Sequence, residues 1–141
     1  MKDIVVNIIG TQEINGEENI IEMTAEGQMK TVNGKTYIIY DDSASAGVDG
    51  VTSTVKVDIG EQAVTMQRSG KLGTRMYIKK GQRQICQYET SEGIINLGIF
   101  GESLVSQLTD DGGKISFSYT IDVNNGLMSR NRIDMTVKPA D

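Results

Sequence analysis

The 141-residue chain contains no histidine and no tryptophan, and it has only one cysteine and one proline. Without histidine there is no Ser-His or Cys-His nucleophile system and no imidazole to bind a metal ion. The single cysteine, Cys86, cannot form an internal disulfide, so nothing in the sequence favours an oxidising compartment. These absences remove most catalytic repertoires and favour a protein that acts by binding.

Long apolar runs are absent as well. The uncharged segment 93–101 contains three glycines and an asparagine, and it is far shorter than the roughly 18 apolar residues of a membrane helix. The apolar run 4–9 is interrupted by Asn7 and lacks a small-residue cleavage site, which predicts a strand rather than a signal peptide. We therefore expect a cytoplasmic protein with no membrane association.

Branched side chains dominate what is present. Isoleucine, valine and threonine supply 17, 11 and 12 residues, whereas leucine and alanine together supply only 10. Residues branched at Cβ pack well in strands, so this composition favours a β-protein over a helical bundle. The length is that of one ordinary domain, and we predict a single domain over residues 1–141.

Apolar and polar residues alternate between turn signals such as Asn15-Gly16 and Asn33-Gly34, which is typical of antiparallel strands with one dry face. Gly27 on the dry face of a long strand fits a sharp bend. Segment 102–108 has both strand and helical spacing. We predict nine or ten strands, over residues 2–13, 18–32, 35–41, 51–59, 62–68, 73–79, 84–90, 93–109, 114–123 and 127–138.

Hairpin-linked strands without a long crossover favour an all-β, antiparallel up-and-down barrel of about eight to ten strands, with a sandwich as the alternative. The C-terminal half also carries short motifs: Gln67-Arg68-Ser69-Gly70, Arg75-Met76-Tyr77-Ile78, Tyr88-Glu89-Thr90-Ser91-Glu92-Gly93, Gly98-Ile99-Phe100, Gly112-Gly113-Lys114-Ile115-Ser116-Phe117-Ser118-Tyr119 and Asn131-Arg132-Ile133. This pattern resembles the YwiB-like family of small bacterial proteins of unknown function. The resemblance implies a calycin-like (lipocalin-like) barrel, but it brings no activity and no binding residues. The chain lacks the Gly-x-Trp motif of true lipocalins, so transport by direct analogy has little support.

Three side chains on predicted dry faces are candidates for ligand binding: Arg68, Tyr88 and Tyr119. An arginine near a barrel mouth can fork onto a carboxylate or phosphate, but it can equally reach water or pair with an acid of the protein. Buried tyrosine hydroxyls more often bond to the protein than to a ligand. Methionines on dry faces, such as Met66, can line an adaptable pocket or simply fill the core.

The charge is unevenly distributed. The net charge is −5, yet the segment 68–83 contains six basic residues and no acid. Besides Arg68 these residues are Lys71, Arg75, Lys79, Lys80 and Arg83, and together they are a candidate basic surface for a protein or RNA. Only Tyr77 interleaves with them as a stacking side chain, so nucleic-acid binding is disfavoured, and a hairpin whose charges meet acids elsewhere is the simpler interpretation.

We predict no catalytic residue, no cofactor and no metal site. The acid pairs 17–18, 41–42 and 110–111 fall at predicted turns and do not match a calcium-binding loop. Gly70-Lys71 is followed by Leu72 rather than by the Ser or Thr of a P-loop. A homodimer is compatible with the sequence if an edge strand is left unpaired.

Two hypotheses of function follow, with a third behind them. The first is a non-enzymatic barrel that binds a small amphiphilic or anionic molecule, and it requires an open cavity of several hundred cubic ångströms. The second is a module that binds a protein or RNA through segment 68–83, and it requires one exposed patch of unpaired basic side chains. An enzyme based on carboxylate or Tyr/Lys chemistry is the third, although no spacing points to one.

Overall fold

The computed structural model describes residues 1–43, 50–69, 74–123 and 126–140. Ten strands make up almost all of this part of the chain. They are β1 (Lys2–Ile14), β2 (Glu17–Val32), β3 (Lys35–Asp41), β4 (Thr52–Asp58), β5 (Ala63–Arg68), β6 (Thr74–Lys79), β7 (Arg83–Thr90), β8 (Gly93–Thr109), β9 (Gly112–Val123) and β10 (Gly126–Pro139). The predicted strands are confirmed, with bounds that differ by at most two residues.

All strand pairs in the sheet are antiparallel, in the order β6-β5-β4-β3-β2-β1-β10-β9-β8-β7. The sheet curls until its two edges meet. Lys80 bridges to Gly101 of β8, and the Gly81 N–H donates to the Gly101 carbonyl at 2.8 Å. The molecule is therefore a nearly closed up-and-down barrel, and the predicted fold class is confirmed. Within the described residues no helix is both long and apolar enough to span a membrane.

The hydrophobic core lies inside the barrel. Val6, Ile38 and Ile99 have no exposed surface, and Phe117 is 1% exposed. Each belongs to a row of alternate residues that points inwards, because successive side chains of a strand face opposite sides of the sheet. The alternation in the sequence therefore identifies the inward face correctly on most strands.

Segment 102–108 is a strand, so its helical spacing was misleading. A register shift between Gly101 and Ser103 interrupts the pairing of β8 with β9. This bulge adds one residue to β8 and changes which side chains face inwards, so that Leu104 packs against the core. The change of phase produces the ambiguous pattern in the sequence.

Gly27 provides the predicted bend in β2. A Cβ atom at this position would overlap the carbonyl oxygen of Ile39 on β3, so the two backbones approach each other more closely than any side chain allows. β2 pairs with β1 along nearly its whole length but with β3 only over residues 27–32. Residues 17–26, which we call the upper part of β2, therefore extend beyond the end of β3.

The barrel mouth has a low rim on one side and a taller wall on the other. One row of paired residues runs Ile4, Gly27, Tyr40, Ser53 and Arg68 across five strands. β5 ends at this row and β3 ends one residue later, whereas β1 continues for ten more residues, to Ile14. The longer wall explains why Ile21, which the alternation assigns to the dry face, is 67% exposed.

Candidate functional site

An ion pair between Arg68 and Asp42 lies at the low rim of the mouth. Arg68 is the last residue of β5 and Asp42 directly follows β3. The carboxylate of Asp42 is buried, and its Oδ2 accepts hydrogen bonds from Arg68 Nε at 3.1 Å and from Arg68 Nη2 at 2.9 Å. Ser53 of β4 donates to the same oxygen at 2.6 Å. Three neighbouring strands therefore contribute to one polar cluster.

This pairing changes the predicted role of Arg68. Its charge is compensated by a carboxylate that is only 2% exposed, so Arg68 is not an unpaired receptor for an anion. Pairing with an acid of the protein, the simpler of the two interpretations, is the one observed. Tyr40 lies next to this cluster, and burial, reinforced by the negative charge of Asp42, raises the pKa of its phenol to about 12.

A cavity of about 440 Å³ lies at the mouth beside the ion pair. Its size agrees with the several hundred cubic ångströms that the binding hypothesis requires. Both polar and apolar residues line it: Gln12, Tyr40, Asp42, Ser53, Thr54, Val55, Met66, Gln67, Arg68, Met76, Tyr119, Ile121 and Asn131. Two of the three predicted ligand-binding residues, Arg68 and Tyr119, therefore line one cavity.

Tyr119 lies on the opposite wall, in β9. It is 6% exposed, it stacks with Phe117 at a ring-centroid distance of 6.3 Å, and burial raises the pKa of its phenol to about 12. Beside it, Gln12 Nε2 donates to Asn131 Oδ1 at 3.2 Å, and Asn131 Nδ2 donates to Ser129 Oγ at 2.9 Å. This wall therefore presents amide groups that are already oriented by the protein.

Tyr88, the third predicted residue, belongs to β7 and pairs with Ile95 of β8. Its side chain lies outside the described residues, so its role stays a prediction.

Among the described residues of the basic segment, Arg68, Lys79 and Arg83 are each paired with an acid. Lys79 Nζ contacts Glu61 at 3.0 Å. The side chain of Arg83 lies over Gly98, where a Cβ atom would overlap the guanidinium. Its Nη2 contacts Oδ1 of Asp122 at 2.6 Å. These acidic partners raise the pKa of both basic groups. Arg75 and Lys80 are exposed, and Lys71 lies outside the described residues. The ion pairs agree with the simpler interpretation, in which charges of the hairpin meet acids elsewhere, and an interface for protein or nucleic acid stays an untested prediction.

Sequence reasoning missed Asp42, Ser53, Gln12 and Asn131. The signal for Asp42 was present, because it continues the inward row of Ile38 and Tyr40 on β3. The sequence prediction places it in an acid pair at a turn and assigns it no role. An arginine on a dry row needs a buried counter-charge, and that requirement could have identified Asp42.

Comparison with known proteins decides the family. A family described as a domain of unknown function (DUF1934) matches residues 6–135. The chain belongs to this family. The uncharacterised β-barrel protein YwiB of Bacillus subtilis (strain 168) is 28% identical over 122 residues, which cover 86% of this chain and 83% of YwiB.

The fold of this DUF1934 protein also has a solved counterpart. The crystal structure of the ywiB protein from Bacillus subtilis superimposes with a TM-score of 0.79 at 24% identity, over 99% of this chain and 93% of that one. This similarity supports the barrel. The description of DUF1934 names no activity, so a proposal of function has to come from the mouth of the barrel itself.

Proposed function

We propose that this protein is a calycin-like, non-enzymatic barrel that binds a small neutral amphiphile in the cavity at its mouth. The observation that carries the proposal is a cavity of about 440 Å³ with a buried, charge-compensated polar cluster at one side. Pockets for small ligands typically measure about 300–1,000 Å³ and combine an apolar lining with a few convergent polar groups.

The lining supports an amphiphilic ligand. Val55, Met66, Met76 and Ile121 supply apolar surface. Two of these side chains are methionines, whose flexible thioethers adapt to ligands of different shape. The amides of Gln12 and Asn131 and the cluster around Asp42 supply polar surface in the same space.

Charge compensation favours a neutral head group over an anionic one. An anion would have to compete with Asp42 for Arg68 at a distance of 2.9 Å, inside a partly desolvated site. Every hydrogen bond that the described residues give to Asp42 goes to Oδ2. Its Oδ1 is therefore available to accept a hydrogen bond from a ligand hydroxyl.

The same groups are poorly suited to catalysis. Tyr40 and Tyr119, whose pKa values are raised to about 12, remain protonated at neutral pH and do not act as bases there. The chain has no histidine to take over that role. These features support binding without turnover.

Binding of 1-decanol, decanoate and decylammonium tests the proposal, because the three probes share a tail and differ in head-group charge. We expect 1-decanol to bind most tightly by calorimetry and to shift the NMR signals of Ser53, Met66 and Tyr119.

A pair of variants locates the binding site. Met66→Trp, which fills the cavity, should abolish binding, whereas Tyr77→Trp on the exposed face of β6 should retain it. Equal affinity in the two variants, or tightest binding of decanoate, contradicts the proposal.

A further inference from the structure

The upper part of β2 forms an open sheet edge. β2 pairs with β1 from Glu17 to Met29, but β3 accompanies it only from residue 27 onwards. Within the described part of the chain, residues 19–26 therefore have a strand neighbour on one side only. An edge of eight residues is about 26 Å long at the usual rise of about 3.3 Å per residue.

This edge carries carboxylates that form no ion pair with another described residue. Residues 3–29 contain six acidic side chains and no basic one. Glu18, Glu22 and Glu26 are exposed and share the outer face of β2. None of the ion pairs between described residues includes these three carboxylates. From the described side chains, Glu22 accepts a hydrogen bond from the amide of Asn7, at 3.3 Å.

The inner face of the same edge is apolar. Ile21 is 67% exposed, and Met23 and Ala25 continue the row towards the core. A groove of about 720 Å³ follows residues 23–28 of β2, and three carboxylates, those of Asp3, Glu26 and Asp41, contribute to its lining. The site thus combines unpaired backbone, an apolar face and an acidic face.

We propose that this edge of β2 takes up an extended segment of a partner protein as an additional strand, one whose residues alternate between basic and apolar. Backbone hydrogen bonds to an open edge give affinity, and alternate side chains give specificity. The apolar residues of the segment would continue the row of Ile21 and Met23. Its lysines or arginines would face Glu18, Glu22 and Glu26, since opposite charges on neighbouring strands stabilise the pairing.

Charge argues against a second copy of this chain at the edge. Pairing of β2 with β2 would place two sets of glutamates on one face, with no basic residue from either strand between positions 3 and 29. Like charges on adjacent strands destabilise a sheet. The edge also lies outside the lining of the mouth cavity, so this inference does not depend on the ligand proposed above.

The test uses three synthetic octapeptides and the full-length protein. The first alternates lysine and valine, the second alternates glutamate and valine, and the third is the lysine peptide with every backbone amide nitrogen methylated, so that neither of its edges can donate. The methylated peptide keeps the charge but cannot complete a ladder of hydrogen bonds. We expect the lysine peptide to shift the amide NMR signals of residues 19–26, and the other two to bind at least tenfold more weakly.

A pair of matched variants locates the contact. Glu18→Gln with Glu22→Gln removes two charges from the edge and should weaken binding of the lysine peptide at least fivefold. Glu61→Gln with Asp110→Asn removes two charges from exposed positions away from this edge and should leave the affinity within twofold. All four substitutions are at exposed sites, where the fold tolerates them.

Three results overturn the inference. Binding of the methylated peptide as tight as that of its parent would show attraction by charge alone. Signal shifts away from β2, or an equal loss of affinity in both variants, would place the contact elsewhere. A concentration-dependent dimer in sedimentation experiments, with its interface at residues 19–26, would show that a second copy occupies the edge.

Discussion

At the mouth of the barrel a single carboxylate determines what Arg68 can do. A lone guanidinium there would attract anions, but Asp42 holds two of its N–H groups on one oxygen. Sequence alternation placed Arg68 correctly on the inward face. It could not show the pairing, because Asp42 lies 26 positions earlier and meets Arg68 only when β3, β4 and β5 pair in register.

Replacing Asp42 with asparagine tests this pairing. Asp42→Asn keeps the shape but leaves Arg68 without its counter-charge, so we expect the free energy of unfolding to fall by about 2 kcal/mol. This is less than the roughly 3–5 kcal/mol of a fully buried pair, because the side chain of Arg68 is 35% exposed and partly solvated. Urea titration measures the loss. Adding Arg68→Gln should restore part of it, and no restoration would contradict the pairing.

Two tyrosines give the barrel an alkaline limit. Burial disfavours the phenolates of Tyr40 and Tyr119, which raises both pKa values from 10.0 to about 12. Their contribution to stability is complete below pH 10, the ordinary value, and is lost as the pH rises through about 12. The urea midpoint should fall over that interval. Tyr40→Phe with Tyr119→Phe should flatten the fall, whereas Tyr77→Phe on the exposed outer face should not.

At the scale of single strands, the sequence predicts the bounds of the strands better than the burial of their side chains. The dry row of β2 was assigned correctly, yet Ala25 is 9% exposed and Ile21 is 67% exposed on the same face. Alternation reports the side to which a residue points. Whether another strand stands opposite depends on the unequal lengths of β1 and β3, which no local pattern encodes.

Gly27 tests the bend in β2. Gly27→Ala places a methyl group against the carbonyl oxygen of Ile39, and neither backbone can move without breaking the ladder. We expect a loss of about 3 kcal/mol in the free energy of unfolding, at the upper end of the usual cost of overpacking. Gly60→Ala is the control, since its Cβ would lie at an ordinary 3.5 Å from Asp58. Similar losses in both variants would mean that the bend needs no glycine.

For the whole molecule, the weakest boundary of the sheet lies between two strands that are neighbours in the sequence. Adjacent strands joined by a short turn usually pair, which would make β6 and β7 a hairpin. Instead β6 pairs only with β5 and β7 only with β8. The edges meet through a few contacts near Gly101, whose missing Cβ lets the Lys79 carbonyl approach. Strand count was predictable, but the position of the seam was not.

Hydrogen exchange should reveal this seam. We expect the amides of β6 and β7 to exchange at least tenfold faster than those of β1 and β10, each of which has a ladder on both sides. Gly101→Ala should accelerate exchange in β6 and β7 further and leave the β1–β10 ladder unchanged. Uniform protection across all ten strands would indicate a fully closed barrel.

The pairing of β1 with β10 also has a consequence for folding kinetics. It brings Ile4 to Pro139, whereas every other ladder joins strands adjacent in the sequence. Closing that long loop costs entropy before any of its hydrogen bonds form, so docking of β1 against β10 is expected to limit the folding rate.

A circular permutant tests this expectation. The Ala140 N–H donates to the Asp3 carbonyl at 2.9 Å, so a short linker can join these two positions. A circular permutant opened at Gln82 keeps every ladder and turns the longest-range one into a hairpin, and it should refold faster in stopped-flow experiments.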